Sequence, residues 1–374
     1  MALYVNHAFE NGSPMDWEAV DGELVVSPNY DYENGSSNRQ LTHWHFRVSG
    51  ISGKLTLRIP PKENIYGGKR VNAFAKKIGN CYSADGLKWM PFYFEQQSDR
   101  SLRAEITPGS DSVYIARIEP YTTAHLQSLL SRLSAEKRAS VAVIGKTVEA
   151  RPLELITLSN GHAKRSVLIR GRAHPWEAGG NWFIEGIIDG VLEDPAILDG
   201  IDIHILPMTA KDGVVRGHTR FNVNGYDLNR GFGKDAAFDP ILVPENHALI
   251  EWLRQKQIDN ALPFFAMDLH DDDYGMLHIG ASGIDAGFDE RMAILDAIMR
   301  KHTYYTEGVT AGAGGSTFGE GLRSMFGIDG VVYELNSNWI PSAQTIPGAS
   351  VWRIFGRQFA TALVRYAQVV SGDN

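Results

Sequence analysis

The sequence predicts an α/β protein in two parts: an N-terminal all-β sandwich followed by an α/β unit with a mixed central sheet. Residues 1 to about 118 carry short alternating apolar runs separated by Gly, Asn, Ser and Pro, the spacing of a sandwich built from short strands and turns. From Tyr121 onward, apolar strand patterns alternate with helical ones, which implies a mixed, largely buried sheet. Glu119-Pro120 marks the junction, because the residue before a proline is pushed into an extended conformation. The expected domains are therefore 1–119 and 120–374.

In the first part the strand candidates are Leu24–Val26, Thr42–Val48, Lys54–Ile59 and Ser112–Ile118. Trp44, Phe46 and Val48 alternate with His43, His45 and Arg47, so one face is apolar. His43 and His45 share the other face at a metal-pair spacing, but outward polar positions of a half-buried strand are the simpler expectation. In the second part, Leu126, Leu129, Leu130 and Leu133 recur at helical spacing within Tyr121–Leu133. Strands are expected over Val141–Ile144, Leu153–Leu158, Ser166–Ile169, Ile201–Leu206, Phe264–Leu269 and Gly330–Leu335. Helices are expected over Trp182–Leu192, Glu245–Gln255, Asp289–His302 and about Val351–Val370. Ala311–Ser316 is a Gly-rich, flexible loop that does not lead a strand into a helix as a phosphate loop does.

Composition narrows the function. The chain has 374 residues, 43% hydrophobic and 21% charged, enough to bury a sizeable core. A net charge of −8 argues against a nucleic-acid or anionic-membrane partner. No run approaches the roughly 18 apolar residues of a membrane span. Met1–Met15 lacks a basic start followed by an apolar core. The one cysteine, Cys81, allows no intrachain disulfide and no Cys-based zinc site; it lies in an aromatic, turn-rich segment and is expected to be structural. Cytoplasmic residence is the simplest expectation.

The chemistry lies in four separated pieces. His174-Pro175-Trp176-Glu177 follows the strand Ser166–Ile169 and precedes a helix, at the strand end where α/β sheets place their sites. His270 ends the apolar run Met267-Asp268-Leu269 and is followed by Asp271-Asp272-Asp273, expected to be a solvated loop. Imidazole nitrogens and a carboxylate are zinc donors, and a catalytic site uses three of them. Glu334 lies in the apolar strand Val331–Leu335, where a carboxylate is costly unless paired or functional. Burial would raise its pKa toward that of a general base; a buried ion pair is the alternative. Asn229 and Arg230 offer donors that can grip a carboxylate bidentately, Arg220 adds a second fixed positive charge, and Asp227 is placed to orient a metal-bound histidine. Surface ion pairing is the ordinary alternative for both arginines.

Taken together, His-x-x-Glu, Asp-x-Asn-Arg, the strand-ending Asp-Leu-His and the strand Glu, in that order, resemble the zinc metallocarboxypeptidases. Trp44, Phe46 and Val48, the stretch Tyr82–Trp89, Glu119–Leu126 and Gly145–Leu153 are similar to the cytosolic carboxypeptidase branch. The resemblance implies a β-sandwich packed on a carboxypeptidase-like α/β/α domain, one Zn2+ per chain held by His174, Glu177 and His270, and Glu334 as general base. It further implies that Arg220 holds the carbonyl oxygen as it turns negative, that Asn229 and Arg230 grip the substrate's C-terminal carboxylate, and that Asp227 holds His174 from behind. The implied substrate is a peptide or the C-terminal tail of a protein. Trp176 departs from the branch, which usually has Gly there, and its bulk would narrow the cleft. Tyr304, Tyr305 and Phe318 all lie near the expected position of the family's substrate-capping Tyr. Arg323, upstream of Glu334, is a candidate selector of acidic C-terminal side chains.

Two other readings stand beside this one. A zinc deacylase of small N-acyl amino acids shares the fold and much of the ligand pattern. A carboxypeptidase-like module that only binds C-termini would lack the need for a complete set of ligands and base.

Overall fold

The computed structural model describes residues 2–280, 286–311 and 316–372; positions 312–315 of the Gly-rich segment lie outside them. The first part of the chain forms one nine-stranded sheet. Its order is Tyr4–Asn6, His45–Ser49, Ser112–Ala116, Lys77–Ser83, Met90–Gln96, Leu102–Ile106, Leu55–Ile59, Glu23–Pro28, Met15–Val20. The layers of the expected sandwich are thus one continuous ladder, nearly closed around a single core that includes Trp44, Phe46, Leu57, Phe94 and Ile115. Glu63–Tyr66 and Lys69–Asn72 form a separate antiparallel hairpin.

The expected alternation holds on the apolar face, where Trp44, Phe46 and Val48 are buried. The opposite face differs from expectation: His43 and His45 are also buried, at 6% and 5% exposure. Residues 9–13 cover them. His43 Nε2 lies 3.1 Å from Asn11 O, His45 Nδ1 lies 3.2 Å from Asn11 Oδ1, and Phe9 meets the His45 ring edge-on. Burial holds both imidazoles neutral, pushing His43 down to about 4 and His45 to about 3. Cys81 is buried, its thiol 3.7 Å from Ala116 O, and burial pushes that thiol up, away from thiolate chemistry.

The second part is built on an eight-stranded mixed sheet, ordered Ala139–Lys146, Pro152–Leu158, Asp202–Leu206, Ser166–Gly171, Phe265–Asp272, Asp329–Asn336, Leu277–His278, Val309–Thr310. The four strands from Asp202–Leu206 to Asp329–Asn336 run parallel. Ser166–Gly171 is buried at every position and Phe265–Asp272 at all but its last, as parallel strands covered on both faces must be. Helix Gly179–Glu193 packs on the closing helix Ala349–Ser371 at glycine contacts. A Cβ on Gly186 would stand 2.1 Å from Arg353 O, and one on Gly356 2.0 Å from Phe183 O, so only glycine permits this approach.

The expected helices and strands of this part are all present. Helices Lys211–Arg216 and Phe318–Phe326 were not anticipated. The strand carrying His270 continues through Asp272, so Asp271 and Asp272 are strand positions and not a solvated loop. Asp271 is buried and accepts the Gly179 N–H at 2.7 Å, while Asp273 pairs with Arg117 at 2.8 Å. Among the described residues, no helix is long and apolar enough to cross a membrane.

Candidate metal and catalytic centre

Three of the parallel strands deliver the site at their carboxyl ends, where an α/β sheet leaves a crevice. Ser166–Gly171 leads into the turn bearing His174 and Glu177, just ahead of helix Gly179–Glu193. Phe265–Asp272 carries His270. Asp329–Asn336 carries Glu334 directly across from His270 in the ladder.

His174, Glu177 and His270 are all buried, and one ligand atom from each falls within 4.8 Å of the others. His174 Nδ1 lies 2.7 Å from Glu177 Oε1 and 3.1 Å from His270 Nδ1. His270 Nδ1 lies 2.9 Å from Glu177 Oε2, yet that oxygen is buried without a hydrogen-bond partner. Two ring nitrogens facing one another can share at most one proton, so hydrogen bonding alone leaves this cluster unsatisfied. A cation at the point where the atoms converge satisfies all three, and two imidazoles with one carboxylate are a catalytic zinc donor set.

The outward nitrogens are tied down. Asp227 Oδ1 stands 3.0 Å from His174 Nε2. Asp268 Oδ2 stands 2.9 Å from His270 Nε2. Carboxylates behind metal-ligating histidines fix tautomer and ring direction, here aiming each Nδ1 inward. Asp268 is in turn held at 2.7 and 2.8 Å by Arg170, with both side chains fully buried. Asp268 escaped the sequence reading, although its spacing was a signal: residues i and i+2 of a strand share a face, so Asp268 had to stand beside His270.

The electrostatics follow from this packing. Burial alone would raise Glu177, but His174 and His270 outweigh it and hold the carboxyl down to about 2. Burial opposes the charge of Asp227 as well; Arg220 and His174 overcome it and keep the group well below the ordinary range. Glu334 goes the other way: burial pushes it well above the usual carboxylate value, His270 pulls against this, and Asp272, Glu177 and Asp271 add repulsion. Burial likewise pushes Asp271 to about 8, with Glu177 reinforcing it.

A cleft of about 580 Å³ opens over the cluster, lined by His174, Glu177, Arg220, Arg230 and Glu334 together with Trp176 and Asp271–Tyr274. Trp176 is 2% exposed and lies under the Arg117 guanidinium, 5.7 Å from ring centre to Cζ. The opposite wall comes from the first part of the chain: Gln40, Thr42 and the hairpin residues Asn64, Tyr66, Val71 and Asn72. None of these was singled out in the sequence, because only the packing of the two sheets brings them here.

Arg220 is buried and doubly bound to Asp227, with Nε at 2.9 Å and a second guanidinium nitrogen at 2.7 Å. Asn229 sits beneath the cleft and not in it. Its Nδ2 lies 3.1 Å from His270 Nε2, and its Oδ1 accepts the Phe318 N–H at 2.9 Å, so its carboxamide supports His270 and the start of helix Phe318–Phe326. Arg323, on that helix, is not among the cleft's lining residues; its guanidinium stacks on Phe288 at 4.1 Å. Of the aromatic candidates for a substrate cap, Tyr305 and Phe318 are fully buried, with the Tyr305 hydroxyl donating to Asp296; Tyr304 packs on Phe355.

Residues 126–266 match the zinc carboxypeptidase family. Cytosolic carboxypeptidase 3 of Mus musculus is 27% identical over 184 residues, 46% of this chain and 18% of that protein. An uncharacterised protein of Zymomonas mobilis is 25% identical over 211 residues, 54% of this chain and 52% of that one. The chain thus matches about half the length of one curated relative and under a fifth of the other. In fold, the chain resembles a metallo-carboxypeptidase from Burkholderia cenocepacia with a TM-score of 0.83, at 20% identity, over 99% of this chain and 100% of that one.

Proposed function

On the premise that the chain belongs to the zinc carboxypeptidase family, we propose that it is a metallocarboxypeptidase that removes the C-terminal residue from peptides or protein tails. The observation that carries this reading is the convergence of His174, Glu177 and His270 opposite Glu334, with Arg220 and Arg230 in the same cleft. His174 Nδ1, His270 Nδ1 and the Glu177 carboxylate would hold one zinc ion per chain. When bound, zinc supplies Lewis-acid polarisation of the scissile carbonyl and makes a water molecule acidic near neutral pH.

The chain's own residues supply the rest. Arg230 grips the substrate's terminal carboxylate, a role its fork of donors suits. Glu334 takes the proton of the attacking water and returns it to the departing amine; the upward push on its pKa suits a group that both accepts and gives a proton. Arg220 stabilises the carbonyl oxygen as it becomes negative. Its two guanidinium contacts with Asp227 hold it in place before reaction, so no reorganisation is needed when charge develops. Asn229 acts through His270, not on substrate. The domain boundary in this reading falls at Glu119-Pro120, and the likeness to cytosolic carboxypeptidases supports a cytoplasmic location. Incubation of the zinc-loaded protein with a mixed peptide pool tests the reading. Loss of single C-terminal residues is expected; hydrolysis of N-acyl amino acids with intact peptides would reassign the substrate.

A further inference from the structure

We propose that the N-terminal β part completes the catalytic centre through one loop, whose Asp31 and Gln40 position Arg220 for oxyanion stabilisation. This rests on the role given to Arg220 above. Residues 29–44 lead from strand Glu23–Pro28 to strand His45–Ser49. The Asp31 carboxylate accepts three successive backbone N–H groups, from Thr219 at 2.9 and 3.0 Å, Arg220 at 2.6 Å and Phe221 at 3.2 Å. Consecutive N–H groups converging on an anion form a nest, and hydrogen bonds to a charged acceptor are roughly twice as strong as neutral ones. At the far end of the loop, Gln40 Oε1 accepts a guanidinium N–H of Arg220 at 2.9 Å. One loop therefore fixes both the backbone and the side chain of Arg220.

These contacts are built into the fold. Gly225 has φ +84°, and a Cβ there would stand 2.7 Å from Asn34 N. Only a glycine lets the loop come this close, and Asn34 N–H then donates to Gly225 O at 2.9 Å. Thr219–Phe221 lie in no helix or strand, so no ladder of their own fixes their N–H groups. Asp227 holds the Arg220 guanidinium from the α/β side; Gln40 holds it from the β side, at the wall of the cleft. Asp31 and Gln40 are positioning residues that act through Arg220, and neither needs to touch substrate.

A double-mutant cycle on the zinc-loaded full chain tests this. Asp31→Asn and Gln40→Ala are each made alone and with Arg220→Ala, and kcat, KM, zinc content and melting temperature are measured on one peptide. Misplacement of a catalytic group by about 1 Å can cost up to roughly a hundredfold in rate. Asp31→Asn is expected to lower kcat by about tenfold or more with KM nearly unchanged and zinc retained, and to lower it no further once Arg220 is Ala. Losses that multiply with that of Arg220→Ala would overturn the inference, since Asp31 would then act on the fold and not through Arg220. If Asp31→Asn does not fold, the same comparison with Gln40→Ala decides, its surface-proximal amide being removable without a buried charge change. An Arg220→Ala variant as fast as the parent would instead overturn the role of Arg220 itself.

Discussion

A single carboxylate links the candidate metal centre to Arg220: Asp227 stands 3.0 Å from His174 Nε2 through Oδ1 and 2.9 Å from Arg220 Nε through Oδ2. The ligand's tautomer and the arginine's position are thus set by one side chain. Asp227→Asn keeps the shape but can no longer accept from both partners equally. Zinc affinity is expected to fall about 10- to 100-fold, the usual effect of losing a carboxylate behind a ligating histidine, and turnover to fall as well. Competition with a chelator reads the first effect; unchanged affinity would detach Asp227 from the metal centre.

Arg220→Ala is expected to reduce kcat by roughly a hundredfold or more, equivalent to about 3 kcal/mol for one positioned oxyanion donor, while zinc remains bound. Single-turnover rates with metal analysis on the same samples check it.

Arg323→Ala is expected to leave the relative rates on peptides ending in Glu, Lys and Phe unchanged, because its guanidinium stacks on Phe288 and is not among the residues lining the cleft. Loss of a stacked cation costs on the order of 1 kcal/mol, so the melting temperature should drop instead. A selective loss of rate on the Glu-ending peptide would return Arg323 to the substrate pocket.

Stability carries a pH signature from Glu245, buried at the start of helix Pro244–Ile258, where burial pushes its carboxyl from 4.5 to about 7. The native state therefore keeps a proton that the unfolded chain gives up at lower pH. The contribution is fully present below about pH 4.5 and is lost as pH rises through about 7, a swing of about 3 kcal/mol at about 1.4 kcal/mol per pKa unit. Denaturant unfolding at pH 5 and pH 8 should show Glu245→Gln losing less stability than the parent over that interval. Equal losses would remove Glu245 from the pH dependence.

The second part of the fold was legible because its elements are long and strongly patterned. Leu126, Leu129 and Leu133 mark their helix by spacing, and the apolar strands Ser166–Ile169 and Phe264–Leu269 stand out as buried runs. Short pieces were missed for want of periodicity. Helix Phe318–Phe326 nevertheless announces its start, since Thr317 and Glu320 form a capping box that is readable as Thr-x-x-Glu. The Asp271-Asp272 error has a physical cause. Three consecutive carboxylates read as solvated, but the strand runs on and Asp271 Oδ2 accepts the Gly179 N–H at the start of helix Gly179–Glu193. His43 and His45 misled in the same way, because their cover arrives from residues 9–13. At the site, the candidate ligand set and Glu334 were visible as motifs, whereas Gln40 and Tyr66 reach the cleft, and Asp31 reaches the backbone of Thr219–Phe221, only through the packing of one sheet on the other, which local pattern does not encode.

In the proposed reaction, a metal held by His174, Glu177 and His270 would work with Glu334 to cleave the terminal peptide bond. Metal analysis combined with a C-terminal ladder assay by mass spectrometry, run on the parent chain and on Glu334→Ala, tests it most directly. The expected result is about one zinc per chain in both proteins, stepwise single-residue loss from peptide C-termini by the parent, and loss of that activity in the variant by a factor of at least about a hundred. A purified chain without zinc, or trimming that persists at the parent rate in Glu334→Ala, would contradict it.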